Sequence, residues 1–266
     1  MSQKTLFFAH ANGFPMGSYR KLLEQLTPYY TVQGIDRIGH DPRFPVTNNW
    51  LKLKDELLWH LRQQTTPVIG VGHSLGGMLT YMAALEQPEL FQRIVLLDVP
   101  LLTRWEEWFL RLAKRSGWID RLTPAGRTVA RRRHWSSAEE AFKWFRQKPT
   151  FAAFDEDCLR DYIAAGTVNS ASGIELSFDP AIELAVYRTL PHHLSRYCRQ
   201  LKVPVTVICG LQSDTVRPYQ RRAMAKRSGV KVEVVDGGHL FPLEQPVLTA
   251  EYILQAIRQG EQGVAA

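Results

Sequence analysis

Residues 67–86 read Pro67-Val68-Ile69-Gly70-Val71-Gly72-His73-Ser74-Leu75-Gly76-Gly77-Met78-Leu79-Thr80-Tyr81-Met82-Ala83-Ala84-Leu85-Glu86. The short apolar run Pro67–Val71 predicts a strand, and Leu75–Glu86 predicts a helix. Between them, Gly72-His73-Ser74-Leu75-Gly76 has the form Gly-x-Ser-x-Gly. A side chain at either flanking glycine would crowd a tight turn. Strand, sharp turn and helix in this order hold a serine on strained backbone, with its hydroxyl at the top of a sheet.

The same alternation extends on both sides. Strands are predicted at Thr5–Ala11, Tyr30–Asp36, Pro67–Gly72, Arg93–Val99, Pro204–Gly210 and Lys231–Asp236. Several are near-continuous Val/Ile/Leu/Phe runs, as in strands covered on both faces. Helices are predicted at Ser18–Thr27, Asn49–Gln63, Leu75–Glu86, Pro218–Ser228 and Pro246–Arg258. The fold class is therefore α/β: a mostly parallel central sheet with helices on both faces. The alternation stops after Val99 and resumes at Leu201. Residues 100–200 read as helical, clearest at Trp105–Lys114, Ala138–Arg146 and Glu156–Ala164. We therefore expect one core made of residues 1–99 and 201–266, with a helical cap inserted at 100–200.

Composition supports that division. The chain has 266 residues and a net charge of +7. Residues 101–150 hold twelve Lys or Arg against five Asp or Glu, so the remainder is balanced. They also hold five of the seven tryptophans. Trp105, Trp108, Phe109 and Leu112 recur at helical spacing, which predicts packing against the core. Attraction of an anionic substrate or lipid is the second reading of this basic block. No nucleic-acid module accompanies Arg131-Arg132-Arg133, so a nucleic-acid partner is not expected. No signal-peptide pattern or membrane-length apolar run is present. Three cysteines without metal-ligand spacing, Cys158, Cys198 and Cys209, fit a reducing, cytoplasmic setting.

A serine hydroxyl is a weak nucleophile at neutral pH and needs a base, itself oriented by a third group. Catalytic groups in such sheets gather at the carboxyl ends of strands. Two positions fit: Asp214 after Val205–Gly210, and His239 in the loop Gly237-Gly238-His239-Leu240-Phe241-Pro242. Asp98, at the end of Ile94-Val95-Leu96-Leu97, is the rival to Asp214. Asp236 and the segment Asp36–Asp41 read as turn formers, His10 as support for its loop, and His73 as part of the turn around Ser74.

With these residues the chain resembles the α/β-hydrolase superfamily, whose triad runs nucleophile, acid, histidine. The matching stretches are Gly72-His73-Ser74-Leu75-Gly76-Gly77, Gly210-Leu211-Gln212-Ser213-Asp214 and Asp236-Gly237-Gly238-His239. The resemblance implies a catalytic triad of Ser74, Asp214 and His239, and an oxyanion hole of two backbone N–H groups. One belongs to Leu75. The other falls in His10-Ala11-Asn12-Gly13-Phe14-Pro15, on Phe14 if the Gly-Phe-Pro form is matched and on Asn12 if His10 is. The implied activity is hydrolysis of a small-molecule ester or thioester, anionic or lipid-like in view of the basic cap, through an acyl-Ser74 intermediate. No metal or organic cofactor is implied. Ser rather than Asp at position 74 argues against the superfamily's haloalkane dehalogenases and epoxide hydrolases. A C–C bond hydrolase, a cofactor-free haloperoxidase and a non-catalytic ligand receptor remain as alternatives.

Overall fold

The computed structural model describes residues 3–128 and 131–262. The side chain of Cys198 lies outside the described residues. The chain begins with β1 (Thr5–Ala9), α1 (Arg20–Glu24), β2 (Thr31–Gly34), α2 (Leu51–Leu61), β3 (Val68–His73), α3 (Leu75–Glu86) and β4 (Phe91–Leu97). An inserted region follows: α4 (Arg104–Arg115), α5 (Ile119–Leu122), α6 (Ala125–Thr128), β5 (His134–Trp135), α7 (Ala138–Arg146), α8 (Pro149–Ala152), α9 (Glu156–Gly166), β6 (Thr167–Ser170), β7 (Gly173–Leu176) and α10 (Pro180–Arg188). The chain then returns through β8 (Val205–Gly210), α11 (Pro218–Ala225), β9 (Val230–Val235), α12 (Phe241–Glu244) and α13 (Pro246–Gln262).

Six of these strands form one parallel sheet in the order β2-β1-β3-β4-β8-β9. Alternate side chains along each strand enter two different cores. Phe7, Ile94, Leu96, Val205 and Val207 face α2 and α3, joining Leu53, Leu57, Leu79 and Met82. Leu6, Phe8, Ile69, Val71, Val95 and Ile208 face the other side, joining Leu22 of α1 and Ile253 and Ile257 of α13. Burial on both faces explains why these strands read as unbroken apolar runs. Each fully buried Leu or Phe contributes roughly 2 kcal/mol relative to exposure.

The insertion differs from expectation in two respects. It contains a three-stranded antiparallel sheet, β5-β7-β6, in addition to its helices. Its tryptophans also divide: Trp135 is fully buried, whereas Trp105, Trp108 and Trp118 are exposed, so the stripe on α4 does not pack on the core. Polar and aromatic contacts seat the insertion on the amino-terminal part of the core. Lys21 pairs with Asp155 and Asp157, and Arg20 pairs with Asp161. The Phe14 ring stacks among Phe151, Phe154 and Tyr162 at centroid distances of 5.9, 6.1 and 5.3 Å.

Candidate active site

The sheet register sets up the site. β1 and β3 pair through Ala9 and Gly72, β3 and β4 through His73 and Leu97, and β4 and β8 through Leu97 and Ile208. His10, Ser74 and Asp98 therefore follow directly from three neighbouring strands along one edge. Ser74 N–H donates to Leu97 O at 3.0 Å, and Asp98 N–H donates to Ile208 O at 2.8 Å, which carries the row one residue past the strands.

Ser74 has φ 51° and ψ −112°, a sparsely populated conformation held by the packing around it. Two glycines make that packing possible. A Cβ on Gly76 would lie 2.1 Å from Ala9 O, and one on Gly72 would lie 2.6 Å from the backbone of Gly76 and Gly77. Gly76 N–H also donates to His10 O at 3.0 Å, tying α3 to the loop after β1.

His239 Nε2 is 3.1 Å from Ser74 Oγ, and its Nδ1 is 2.7 Å from Asp98 Oδ2. Asp98 is fully buried. Its carboxylate also accepts from Gly210 N–H at 2.9 Å and from the Ser213 hydroxyl at 2.5 Å. The aspartate beside the histidine is thus Asp98, and the expectation of Asp214 is corrected. Asp214 is exposed, and its carboxylate accepts from the Thr215 hydroxyl at 3.4 Å. The physical reason lies in the path of the histidine loop. A Cβ on Gly210 would come within 2.3 Å of Gly238 O, so the loop crosses the end of β8 at a residue without a side chain. That crossing carries His239 over β8 to β4. Gln212 holds the crossing, donating to Asp236 Oδ1 at 2.7 Å and accepting from Gly237 N–H at 2.6 Å.

Ser213, which the sequence reading passed over, turns inward where Asp214 turns outward. Its Oγ accepts from Thr215 and Val216 N–H, both at 3.1 Å, while its hydroxyl proton points to Asp98. A Ser followed by two residues whose amides it can cap is the signal for such a turn.

Two histidines at the ends of β1 and β3, His10 and His73, are buried. His73 Nε2 lies 2.9 Å from His239 O, a pure acceptor, so that nitrogen carries the proton. Its Nδ1 then accepts from the Tyr19 hydroxyl at 2.8 Å. His10 Nδ1–H donates to Ala11 O at 2.8 Å, and its Nε2 accepts from Ile38 N–H at 2.8 Å. Burial keeps both neutral, lowering His10 to about 4 and His73 well below its ordinary value. The Asp36–Asp41 segment is structural: Gly39 N–H donates to Glu56 Oε2, and burial lifts that carboxyl to about 7.

Of the two N–H groups expected to face an oxyanion, Leu75 is the first residue of α3, where an N–H has no helical acceptor. Phe14 is corrected: its N–H donates to Ala11 O at 3.1 Å within its own turn, and its ring enters the aromatic cluster of the insertion. Asn12 is the alternative that geometry leaves open. Its side chain donates to Glu183 O at 3.1 Å, fixing the loop against α10, and among the described residues its N–H has no backbone acceptor. A cleft of about 640 Å³ bordered by Arg104, Trp108, Arg111 and Arg196 lies elsewhere and includes no residue of the Ser74–His239–Asp98 row. Among the described residues no group of three or more His, Cys, Asp or Glu is arranged to hold a metal ion.

Known proteins with related sequences or structures agree with this architecture. The chain is 24% identical to the karrikin insensitive 2 receptor IA of Petunia hybrida over 277 residues, 96% of this chain and 90% of that protein. A shorter stretch of 103 residues, 39% of this chain and 40% of the relative, is 30% identical to a pimeloyl-[acyl-carrier protein] methyl ester esterase of Xylella fastidiosa. Among solved structures, E-2-(acetamidomethylene)succinate hydrolase superimposes with a TM-score of 0.78 at 20% identity, covering 96% of this chain and 91% of that one. The model of the Alpha/beta hydrolase family matches residues 6–252, and the chain belongs to that family.

Proposed function

We propose that this protein is a serine hydrolase that cleaves a carboxylic ester or thioester through an acyl-Ser74 intermediate, with His239 as base and Asp98 as its orienting acid. The observation that carries the proposal is His239 bridging Ser74 Oγ at 3.1 Å and Asp98 Oδ2 at 2.7 Å. Nδ1 must carry a proton to bond the Asp98 carboxylate, which leaves Nε2 as the acceptor facing Ser74.

His239 Nε2 takes the Ser74 proton as Oγ attacks the acyl carbon. The carbonyl electrons move onto oxygen, where the N–H groups of Leu75 and Asn12 stabilise the charge. Asp98, bonded by Gly210 N–H and Ser213, steadies the imidazolium that forms. His239 then protonates the leaving alcohol or thiol. A water, deprotonated by the same nitrogen, attacks the acyl-enzyme and releases the acid. Each oxyanion donor in such a site is worth about two to three orders of magnitude in rate.

Ligand reception without turnover is the second reading. It is favoured by the coverage of the petunia receptor, whose likeness runs along nearly the whole chain. The two are separated by a fluorophosphonate probe alongside a chain-length series of p-nitrophenyl esters and acyl-CoA thioesters. Labelling of Ser74 with multiple turnover, both lost in Ser74→Ala, supports the hydrolase. Labelling without turnover on any ester or thioester supports reception. A folded protein that leaves the probe unreacted overturns the serine chemistry altogether.

A further inference from the structure

Helix α4 presents its acidic residues to the protein and an apolar stripe to solvent. Trp105, Trp108, Phe109 and Leu112 lie at i, i+3, i+4 and i+7, which places them on one face. They are 60%, 66%, 48% and 50% exposed. Trp118 and Leu122, just beyond the helix, extend the same exposed character. The opposite face carries the acids inward. Glu106 accepts from the Tyr219 hydroxyl and from Gln220 Nε2, both at 2.7 Å. Glu107 is buried and accepts from Ser195 N–H at 2.7 Å and from its hydroxyl at 2.5 Å. A surface helix ordinarily has the reverse arrangement, and a contiguous exposed apolar patch marks a contact surface.

Charge identifies what the surface meets. Arg104, Arg111 and Arg115 follow one border of the apolar stripe and are exposed. Among the described residues none of the three has a carboxylate partner. The acids nearby are engaged: Glu106 and Glu107 as above, and Asp120 by Arg188 at 2.6 Å. The outer face is therefore aromatic and cationic together. A symmetric contact with a second copy would set this patch against itself and bring like charges together. No helix among the described residues is long and apolar enough to cross a membrane, so contact with a bilayer would be peripheral.

We propose that the outer face of α4, with Trp118 and Leu122, docks on an anionic lipid bilayer. The Trp and Phe rings enter the zone between headgroups and acyl chains, and the bordering arginines meet lipid phosphates and carboxylates. This inference is independent of the reaction at Ser74.

The test is co-sedimentation of the full chain with phosphatidylcholine vesicles, with and without about 30% phosphatidylserine, at about 0.05 M and 0.5 M salt. Binding is expected on anionic vesicles at low salt, and at least about tenfold weaker on neutral vesicles or at high salt. Trp105→Ser/Trp108→Ser/Phe109→Ser and, separately, Arg104→Gln/Arg111→Gln/Arg115→Gln should each weaken binding by about tenfold or more while the circular dichroism spectrum is retained. The single change Trp108→Gln serves if the triple variants do not fold. Equal binding by parent and variants overturns the proposal. So does a chain that ignores vesicles, whether it sediments as a monomer or as a dimer broken by Trp108→Gln. Vesicle binding by a protein unreactive at Ser74 would sink the hydrolase reading and leave this one standing.

Discussion

Strands β4 and β8 are hydrogen-bonded neighbours, run parallel, and are each followed by an aspartate, yet the two carboxylates end in opposite surroundings. Asp98 directly follows β4, is fully buried and receives His239, Gly210 N–H and Ser213. Asp214 lies four residues beyond β8, faces solvent and has a long contact with Thr215. Nearness to a strand end is therefore not sufficient. What distinguishes the two is the set of donors around each, and the β8 end supplies two of its own donors to the β4 acid. The sheet edge works as a shared structure in which one strand's loop completes another's residue.

The largest expected effect tests this contrast directly. Asp98→Asn should lower kcat on a p-nitrophenyl ester by about 10⁴-fold, because the amide cannot hold His239 in the tautomer that accepts the serine proton. Comparable losses in Asp98→Asn and Asp214→Asn would break the comparison. Next comes pH, where burial at a strand end has a cost. His10 follows β1 and is held neutral, with its folded-state value lowered to about 4. The unfolded chain protonates near pH 6.5, so the stabilisation is fully present above that and is lost as pH falls toward 4. Urea titrations at pH 7 and 4.5 should therefore show a loss of roughly 2–3 kcal/mol from His10, added to by His73 in the same direction. His10→Gln keeps an acceptor where Nε2 receives Ile38 N–H but does not titrate, and should reduce that loss; an unchanged loss would refute the assignment.

Ser213→Ala is a smaller perturbation. It removes one donor from Asp98 and the acceptor for Thr215 and Val216, and should cost about 1–2 kcal/mol in unfolding free energy and about tenfold in kcat. A wild-type rate would mean that β8 contributes nothing to the acid. The smallest effect belongs to Asp214→Asn, expected within about twofold of wild type in kcat and within about 0.5 kcal/mol in stability.

The fold was readable because burial leaves a periodic trace. α3 spans Leu75–Glu86 as its pattern predicts, and β8 begins one residue from its predicted start, since both-face burial enforces unbroken apolar runs. The β5-β7-β6 sheet left no such trace, being built of strands only two to four residues long. In the site, Ser74 and His239 sit in turns whose glycines announce them. The partner of His239 does not, because it depends on a loop crossing β8 at Gly210, a contact between distant parts of the chain. On α4 the amphipathic stripe was legible but its direction was not. A pattern of 105, 108, 109 and 112 gives one face of a helix, and only packing decides whether that face looks in or out.

The bond from His73 Nε2–H to His239 O has a mechanical consequence. His73, the residue before Ser74, grips the main chain of His239, so the two halves of the site are clasped at a point that touches neither Ser74 Oγ nor His239 Nε2. Tyr19, bonded to the other side of His73 and lying 3.4 Å from Ala11 N, extends the clasp to the loop after β1. Three loops from distant parts of the chain then open or stay shut as one unit. Amide exchange near positions 11, 74 and 239 should report a single opening event, with warming abolishing activity in one step instead of by gradual loosening of individual loops.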